Sequence, residues 1–318
     1  MSVYTKVLPH QLTEFLQNYT LGQLEQFAGI NDGIENSNYF VTTSNGEYVL
    51  TLFEVLTREE LPYFLELMAF LAEHEIPSAH PVADNGGHYL RELNSKPAAL
   101  VKRLKGASVD IPTARQCGEI GKQMGRMHNA SKEFPLHRKM VRGPKWWRAT
   151  AESVMPQLSD QGAELLSKEL DYQFSHLFHN LPVGVIHADL FLDNALFVGD
   201  ELTGIIDFYY ACNNFFIYDL AVTINDWCTT GDNERDLRNA RVLLSSYQQE
   251  RKVTVEELNA WPTMLRAAAL RFWLSRLQDK YFPRGGEITH IKDPDEFKLI
   301  LLNRVENADK VSTMWEHA

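Results

Sequence analysis

Residues 185–207 read VIHADLFLDNALFVGDELTGIID, and the fold is decided by how this stretch is read. The apolar run 183–186 predicts a short buried strand, after which His187-Ala188-Asp189 turns the chain and leaves Asp189 on a loop. A carboxylate there can reach solvent or substrate. Two β-rich runs follow, 195–198 and 202–206, joined by Gly199-Asp200-Glu201, which has the composition of a hairpin turn. The second run delivers Asp207 beside the loop.

Asn194 lies five residues after Asp189, and Asp207 thirteen after Asn194. Phosphoryl transfer uses this spacing: a loop Asp accepts the proton of the acceptor hydroxyl, an Asn holds Mg²⁺, and an Asp at the end of a following hairpin holds metal on the phosphates. Mg²⁺ prefers hard oxygen ligands, which Asn and Asp supply. The remaining carboxylate must stay metal-free to deprotonate an alcohol. HxD alone is common turn chemistry. The full HxDxxxxN followed by an apolar hairpin and Ile206-Asp207-Phe208 is far more specific.

The segments VIHADLFLDNALF, GIIDFYYACNNFFIYDLAVTINDW and LRFWLSRL resemble the aminoglycoside phosphotransferase and choline kinase group of protein-kinase-like small-molecule kinases. Within it they are most similar to the bacterial homoserine kinases of the threonine pathway. The resemblance implies an α+β, protein-kinase-like bilobal fold, with a small antiparallel β-sheet N-lobe carrying a helix and a larger, mostly helical C-lobe. Residues 1–105 would form the nucleotide-binding lobe and hinge. Residues 106–318 would hold the catalytic loop and acceptor site, with MgATP in the cleft between. The implied reaction is ATP plus L-homoserine giving ADP and O-phospho-L-homoserine. Asp189 would be the base, His187 would hold the loop, and Asn194 and Asp207 would bind Mg²⁺. Asp219 would brace the loop. Rival readings are the same chemistry on methylthioribose, choline or an aminoglycoside, and a non-catalytic nucleotide-binding protein. A further rival makes His187, Asp189 and Asp193 ligands of a hydrolytic metal.

The chain has 318 residues, 44% hydrophobic and 23% charged, enough to bury a sizeable core in two lobes. A formal net charge of −11 argues against nucleic-acid and anionic-membrane partners. Cys117, Cys212 and Cys228 lack CxxC spacing, which argues against a disulfide framework or zinc site and favours a reduced cytoplasm. The opening MSVYTKVLPHQ has no signal-like apolar core, and no stretch approaches the roughly 18 apolar residues of a membrane span.

In chain order, Leu12, Phe15, Leu16 and Tyr19 fall at helical spacing. Residues 29–40, GINDGIENSNYF, read as a polar loop opening a hairpin of strands 39–43 and 48–53 around Ser44-Asn45-Gly46. Gly33, Asn36, Ser37 and Asn38 are its candidate phosphate-binding residues. Related kinases carry a cation where Thr51 stands. Residues 59–74 form an amphipathic helix. By resemblance the adenine edge falls at Val101, Lys102, Arg103 and Leu104, with Lys102 and Arg103 also candidates for the missing phosphate cation. Helix 114–130 carries Gly121 and Gly125, which allow close helix contacts, and His128, read as a buried structural histidine. Two tryptophans beside cations open another helix at Lys145-Trp146-Trp147-Arg148. An amino-acid alcohol needs a cation for its carboxylate and an anion for its ammonium. Arg271 and Arg276 are candidates for the first, and Asp32, Asn225 and Asp226 for the second. Nothing in the sequence fixes the oligomeric state.

Overall fold

Every second residue of Asn36–Thr43 is buried, the period of a strand with one face on a core. Around that strand the first of two compact units is built. The computed structural model describes residues 4–30, 36–229, 231, 233–283 and 292–316, divided into residues 4–105 and residues 106–283 with 292–316.

The first unit opens with α1 (Pro9–Leu16), whose Leu12, Phe15 and Leu16 are buried as their spacing predicts. Next come β1 (Leu24–Gly29), β2 (Asn36–Thr43), β3 (Gly46–Phe53), α2 (Leu61–Glu73), β4 (Arg91–Leu93) and β5 (Lys96–Lys102). The sheet has the order β1-β2-β3-β5-β4 and is antiparallel throughout. Ser44 and Asn45 turn β2 into β3. Asn94 and Ser95, both with positive φ, turn β4 into β5 in the backbone conformation that suits a two-residue hairpin. The α1 leucines pack on Tyr39, Val41, Leu50, Leu52 and Leu100 of the sheet.

Two expectations change here. Strand β1 is absent from the sequence reading, because most of its residues stay exposed at the sheet edge and leave no alternation. Strand β2 begins at Asn36, drawing the polar run 36–38 out of the expected loop and into register with Phe53, Leu52 and Thr51.

The second unit contains α3 (Ala114–Ala130), α4 (Pro144–Val154), α5 (Asp160–Ser175), β6 (Val183–Ile186), β7 (Ala195–Val198), β8 (Glu201–Ile205), β9 (Cys212–Phe215), α6 (Phe216–Trp227), α7 (Asn233–Glu250), α8 (Val255–Tyr281) and α9 (Pro294–Glu306). Thr113 and Gln116 cap α3 reciprocally. Gly121 lets α3 approach α7: a Cβ there would lie 2.0 Å from the Leu243 carbonyl oxygen. Strand β6 pairs with β9, and β7 with β8. Between β6 and β7 runs the loop that carries Asp189. Helix α8 is buried on all sides over most of its length, so Arg271 and Arg276 lie inside the unit, where a guanidinium must find partners.

Candidate active site

Strand β6 ends at Ile186, and the next residues are held from behind by Asp219 in the first turn of α6. Its carboxylate accepts the backbone N–H of His187 at 3.0 Å and of Ala188 at 2.7 Å. Ala188 adopts a left-handed conformation, φ 63°. The buried His128 donates from Nε2 to the same carboxylate at 3.0 Å and meets the Tyr247 hydroxyl through Nδ1 at 2.8 Å. Burial holds His128 below its ordinary pKa, so it stays neutral. Burial would raise Asp219, but His128, His187 and the Ala188 N–H outweigh it and keep the carboxylate ionised. His187, also kept neutral by burial, donates from Nε2 to the Ile206 carbonyl at 3.0 Å, tying the loop to the end of the β7–β8 hairpin.

Along the loop, the Asn194 side-chain nitrogen donates to the Asp189 carbonyl at 2.8 Å. Ile206 N–H donates to the Asn194 carbonyl at 3.0 Å. Ala195 pairs with Ile205, so the hairpin brings Asp207 back beside Asn194. Asp207 itself is left-handed, φ 62° and ψ 56°, a conformation uncommon outside glycine and concentrated at functional sites. Because the Asn194 nitrogen is committed to backbone, its side-chain oxygen is the atom left for a cation. An amide oxygen and a carboxylate are hard donors of the kind Mg²⁺ takes, so Asn194 and Asp207 are the residues here that could hold one. Among the described residues no group of three or more His, Cys, Asp or Glu could hold a metal ion. His187 and Asp193, proposed above for a hydrolytic metal, are instead engaged by Ile206 and by Lys292 at 2.6 Å.

Burial pushes the Asp189 carboxyl up to about 6, with Asp193 adding to the rise while Arg271, Lys292 and Arg142 oppose it. Arg271 Nη1 lies 3.4 Å from Asp189 Oδ1, at the outer limit of a hydrogen bond. Of the proposed substrate residues, Arg271 therefore joins Asp189. Asp226 braces the loop, accepting Leu192 N–H at 2.7 Å, and burial pushes its carboxyl up to about 7.

Two of the other substrate candidates belong to the core. Asn225 is fully buried, donating to the Leu265 carbonyl and accepting from Arg304 Nε, with no face open to an ammonium. Arg276 is held by the Asp293 carbonyl and Glu296 and lies over the Phe297 ring, joining α8 to α9. Asp32 and Gly33 lie outside the described residues.

The nucleotide candidates are rearranged. Ser37 is fully buried, its hydroxyl accepting Tyr4 and Thr5 N–H groups and donating to Glu54, so it fastens the N-terminal segment. Asn36 accepts the Glu54 N–H, and Asn38 accepts the Thr51 hydroxyl across the ladder at 2.8 Å. Val101 pairs with Val49. The N–H groups of Lys102 and Arg103 are taken by His80 and Glu47 carbonyls. The Arg103 guanidinium meets Glu47 at 3.3 Å and lies 4.0 Å over Phe40, an ordinary surface placement. Leu104 follows β5. The sequence reading passed over Arg142 and Tyr210, which stand beside Arg271: its Cζ lies 5.0 Å, and that of Arg142 4.8 Å, from the Tyr210 ring centre. No periodicity marks them, since Arg142 sits in a turn and Tyr210 in a single 3₁₀ turn.

The chain matches known proteins in sequence and in fold. Residues 26–253 match the model of the phosphotransferase enzyme family. A homoserine kinase of Methylobacillus flagellatus is 48% identical over 318 residues, covering all of both chains. One from Neisseria meningitidis serogroup B is 46% identical over 303 residues, covering 95% of this chain and 99% of its own. The fold is that of an amicoumacin kinase solved with AMP-PNP, Ca²⁺ and its ligand (TM-score 0.71, 16% identity, 96% of this chain and 95% of that one). It is also that of a spectinomycin phosphotransferase solved with ADP and spectinomycin (TM-score 0.70, 15% identity, 97% and 100%). With an antiparallel sheet in one unit, a helical second unit and full-length relatives at this identity, the chain belongs to the phosphotransferase enzyme family, among relatives that are homoserine kinases.

Proposed function

We propose that this chain transfers the terminal phosphoryl group of ATP to the side-chain hydroxyl of L-homoserine, giving ADP and O-phospho-L-homoserine on the route to threonine. The observation that carries the reading is full-length identity of 48% to a homoserine kinase, with the Asp189, Asn194 and Asp207 pattern intact on one loop and hairpin. Asp189 orients the acceptor hydroxyl and takes its proton as the oxygen bonds to the γ-phosphorus and the bond to the β-phosphate oxygen breaks. A carboxyl titrating near 6 is deprotonated at neutral pH yet basic enough to accept that proton. Arg271 steadies it; His187 and Asp219 hold the loop. Magnesium, held by Asn194 and Asp207, would neutralise charge on the β- and γ-phosphate oxygens.

No described helix is long and apolar enough to cross a membrane. We propose that the enzyme acts in the cytoplasm, a reading favoured by its three cysteines, all free and buried.

A coupled ADP assay with MgATP and a panel of L-homoserine, choline, methylthioribose and an aminoglycoside tests the reading. L-Homoserine is expected to give the highest kcat/KM. A preference for another acceptor, or MgATP binding with no transfer to any of them, overturns it.

A further inference from the structure

Arg271 is buried, 3% exposed, and among the described residues its guanidinium has one hydrogen-bond acceptor, Asp189 Oδ1 at 3.4 Å. That contact is longer than an ordinary N–H···O bond and uses one prong of a planar fork that can grip two oxygens. The other buried arginines of this unit are better served. Arg251 donates to both oxygens of Glu257, at 2.9 and 3.1 Å, and Arg266 to both of Glu169. Arg276 is taken by the Asp293 carbonyl and Glu296, and Arg304 by the amide oxygens of Asn225 and Asn303.

A guanidinium taken out of water with so few bonds is costly. Burial destabilises the Arg271 charge, Asp189 supports it, and Arg142 works against it. The Phe272 ring, 3.6 Å from its Cζ, shields the group without supplying an oxygen. The acceptor carries the missing partner. In L-homoserine the carboxylate lies only a few bonds from the hydroxyl, a span of about 5 Å at full extension with bonds near 1.5 Å. One molecule can therefore meet Asp189 with its hydroxyl and Arg271 with its carboxylate.

Resting on the function proposed above, we infer that Arg271 binds the α-carboxylate of the acceptor, and so selects an amino-acid alcohol over the same alcohol without its carboxylate. Arginine suits this task because its fork matches a carboxylate at two points. The base and the substrate then share one guanidinium.

The test must separate this role from the support that Arg271 gives Asp189. An Asp189→Asn background does so, because no charged base is left there to steady. Adding Arg271→Gln replaces the ion pair by two neutral amides, which leaves no buried charge unpaired and favours folding. Calorimetry with a non-hydrolysable ATP analogue present compares L-homoserine with 3-aminopropanol, which is homoserine without its carboxylate. Relative to Asp189→Asn alone, the double variant should bind L-homoserine on the order of 100-fold more weakly, the effect of losing a charge-assisted pair in a shielded site. Aminopropanol and the ATP analogue should each stay within about threefold, since neither presents that carboxylate. Equal weakening of both alcohols, unchanged homoserine binding, or weaker binding of the ATP analogue overturns the inference. With Asp189 intact, Arg271→Gln should lower kcat/KM at least about tenfold more for L-homoserine than for aminopropanol, and Arg271→Lys should restore part of the difference. An unchanged ratio of the two would leave Arg271 to the base alone.

The two proposals fail separately. Carboxylate-dependent binding through Arg271, in a wild-type protein that transfers phosphate to no acceptor, sinks the kinase reading and keeps this one. An active homoserine kinase in which both alcohols weaken alike sinks this one alone, and L-homoserine that does not bind wild type sinks both.

Discussion

In the reaction proposed above the base is Asp189; such a group works best with a pKa just under the working pH, and burial brings Asp189 to about 6. The same shift costs stability. Unfolded, the group titrates near its ordinary 3.8. Between about pH 4 and 6 the folded protein therefore keeps a proton that the unfolded chain has lost, and stability falls as pH rises through that window. Asp189→Asn, which mimics the protonated form, should raise the unfolding free energy at pH 8 by about 1–3 kcal/mol. At pH 4 it should leave that energy nearly unchanged, while turnover at pH 8 drops at least about 10³-fold. Urea denaturation at the two pH values checks the first part; a variant less stable than wild type at pH 8 would contradict it. The loop and hairpin that carry Asp189, Asn194 and Asp207 were legible in the sequence, because a short apolar strand, a turn and two β-rich runs around Gly199 mark them locally. The meeting of Arg271 with Asp189 was not, since 82 residues separate them and only the burial of α8 brings them together. For the same reason Asn225 passed for a substrate ligand: its partner Arg304 lies 79 residues away on α9.

Helix α6 is the element that gives the loop its shape. Asp219 and Asp226 are seven positions apart, two turns along one face, and hold the backbone of residues 187, 188 and 192. Trp227 adds an indole N–H to the Leu190 carbonyl at 3.1 Å. Asp219→Ala would leave two buried loop N–H groups and the His128 Nε2–H without their acceptor, a loss of about 3–5 kcal/mol in urea denaturation. Amide hydrogen exchange at His187 and Ala188 should accelerate with it; unchanged exchange there would show that the loop is shaped by something else. The packing of α3 on α7 makes a separate demand. Gly121→Ala would drive a methyl into the Leu243 carbonyl, and should destabilise by about 2–4 kcal/mol with KM values unaltered. A variant as stable as wild type would mean that the helices part at no cost. Elements with strong periodicity, such as α2 and α3, could be read directly from the sequence. Strands β1 and β9 could not, because one is largely exposed and the other is four residues whose pairing with β6 is a long-range contact.

Over the whole molecule the charge balance opposes the nucleotide that the reaction needs. The net charge is −11, ATP is a polyanion, and the position where related kinases place a cation on the third strand is Thr51, whose hydroxyl is given to Asn38. Arg103, one of the two nearby candidates, is paired with Glu47, and Lys102 is exposed at the end of β5. In the reaction proposed above, the divalent ion then carries charge that a strand lysine would otherwise share. Chelating it should do more than stop turnover. Calorimetric ATP binding in EDTA should weaken at least about tenfold relative to binding with magnesium, since the free polyanion meets both the protein's field and the unneutralised oxygens of Asn194 and Asp207, the proposed metal ligands. Salt gives the complementary test. The field of distant charges is screened over about 8–10 Å at physiological ionic strength, so raising KCl from low salt to that level should lower KM for MgATP or leave it level. If KM instead rises steeply with salt, exposed cations draw the nucleotide in, and the dependence on magnesium argued from Thr51 fails with it.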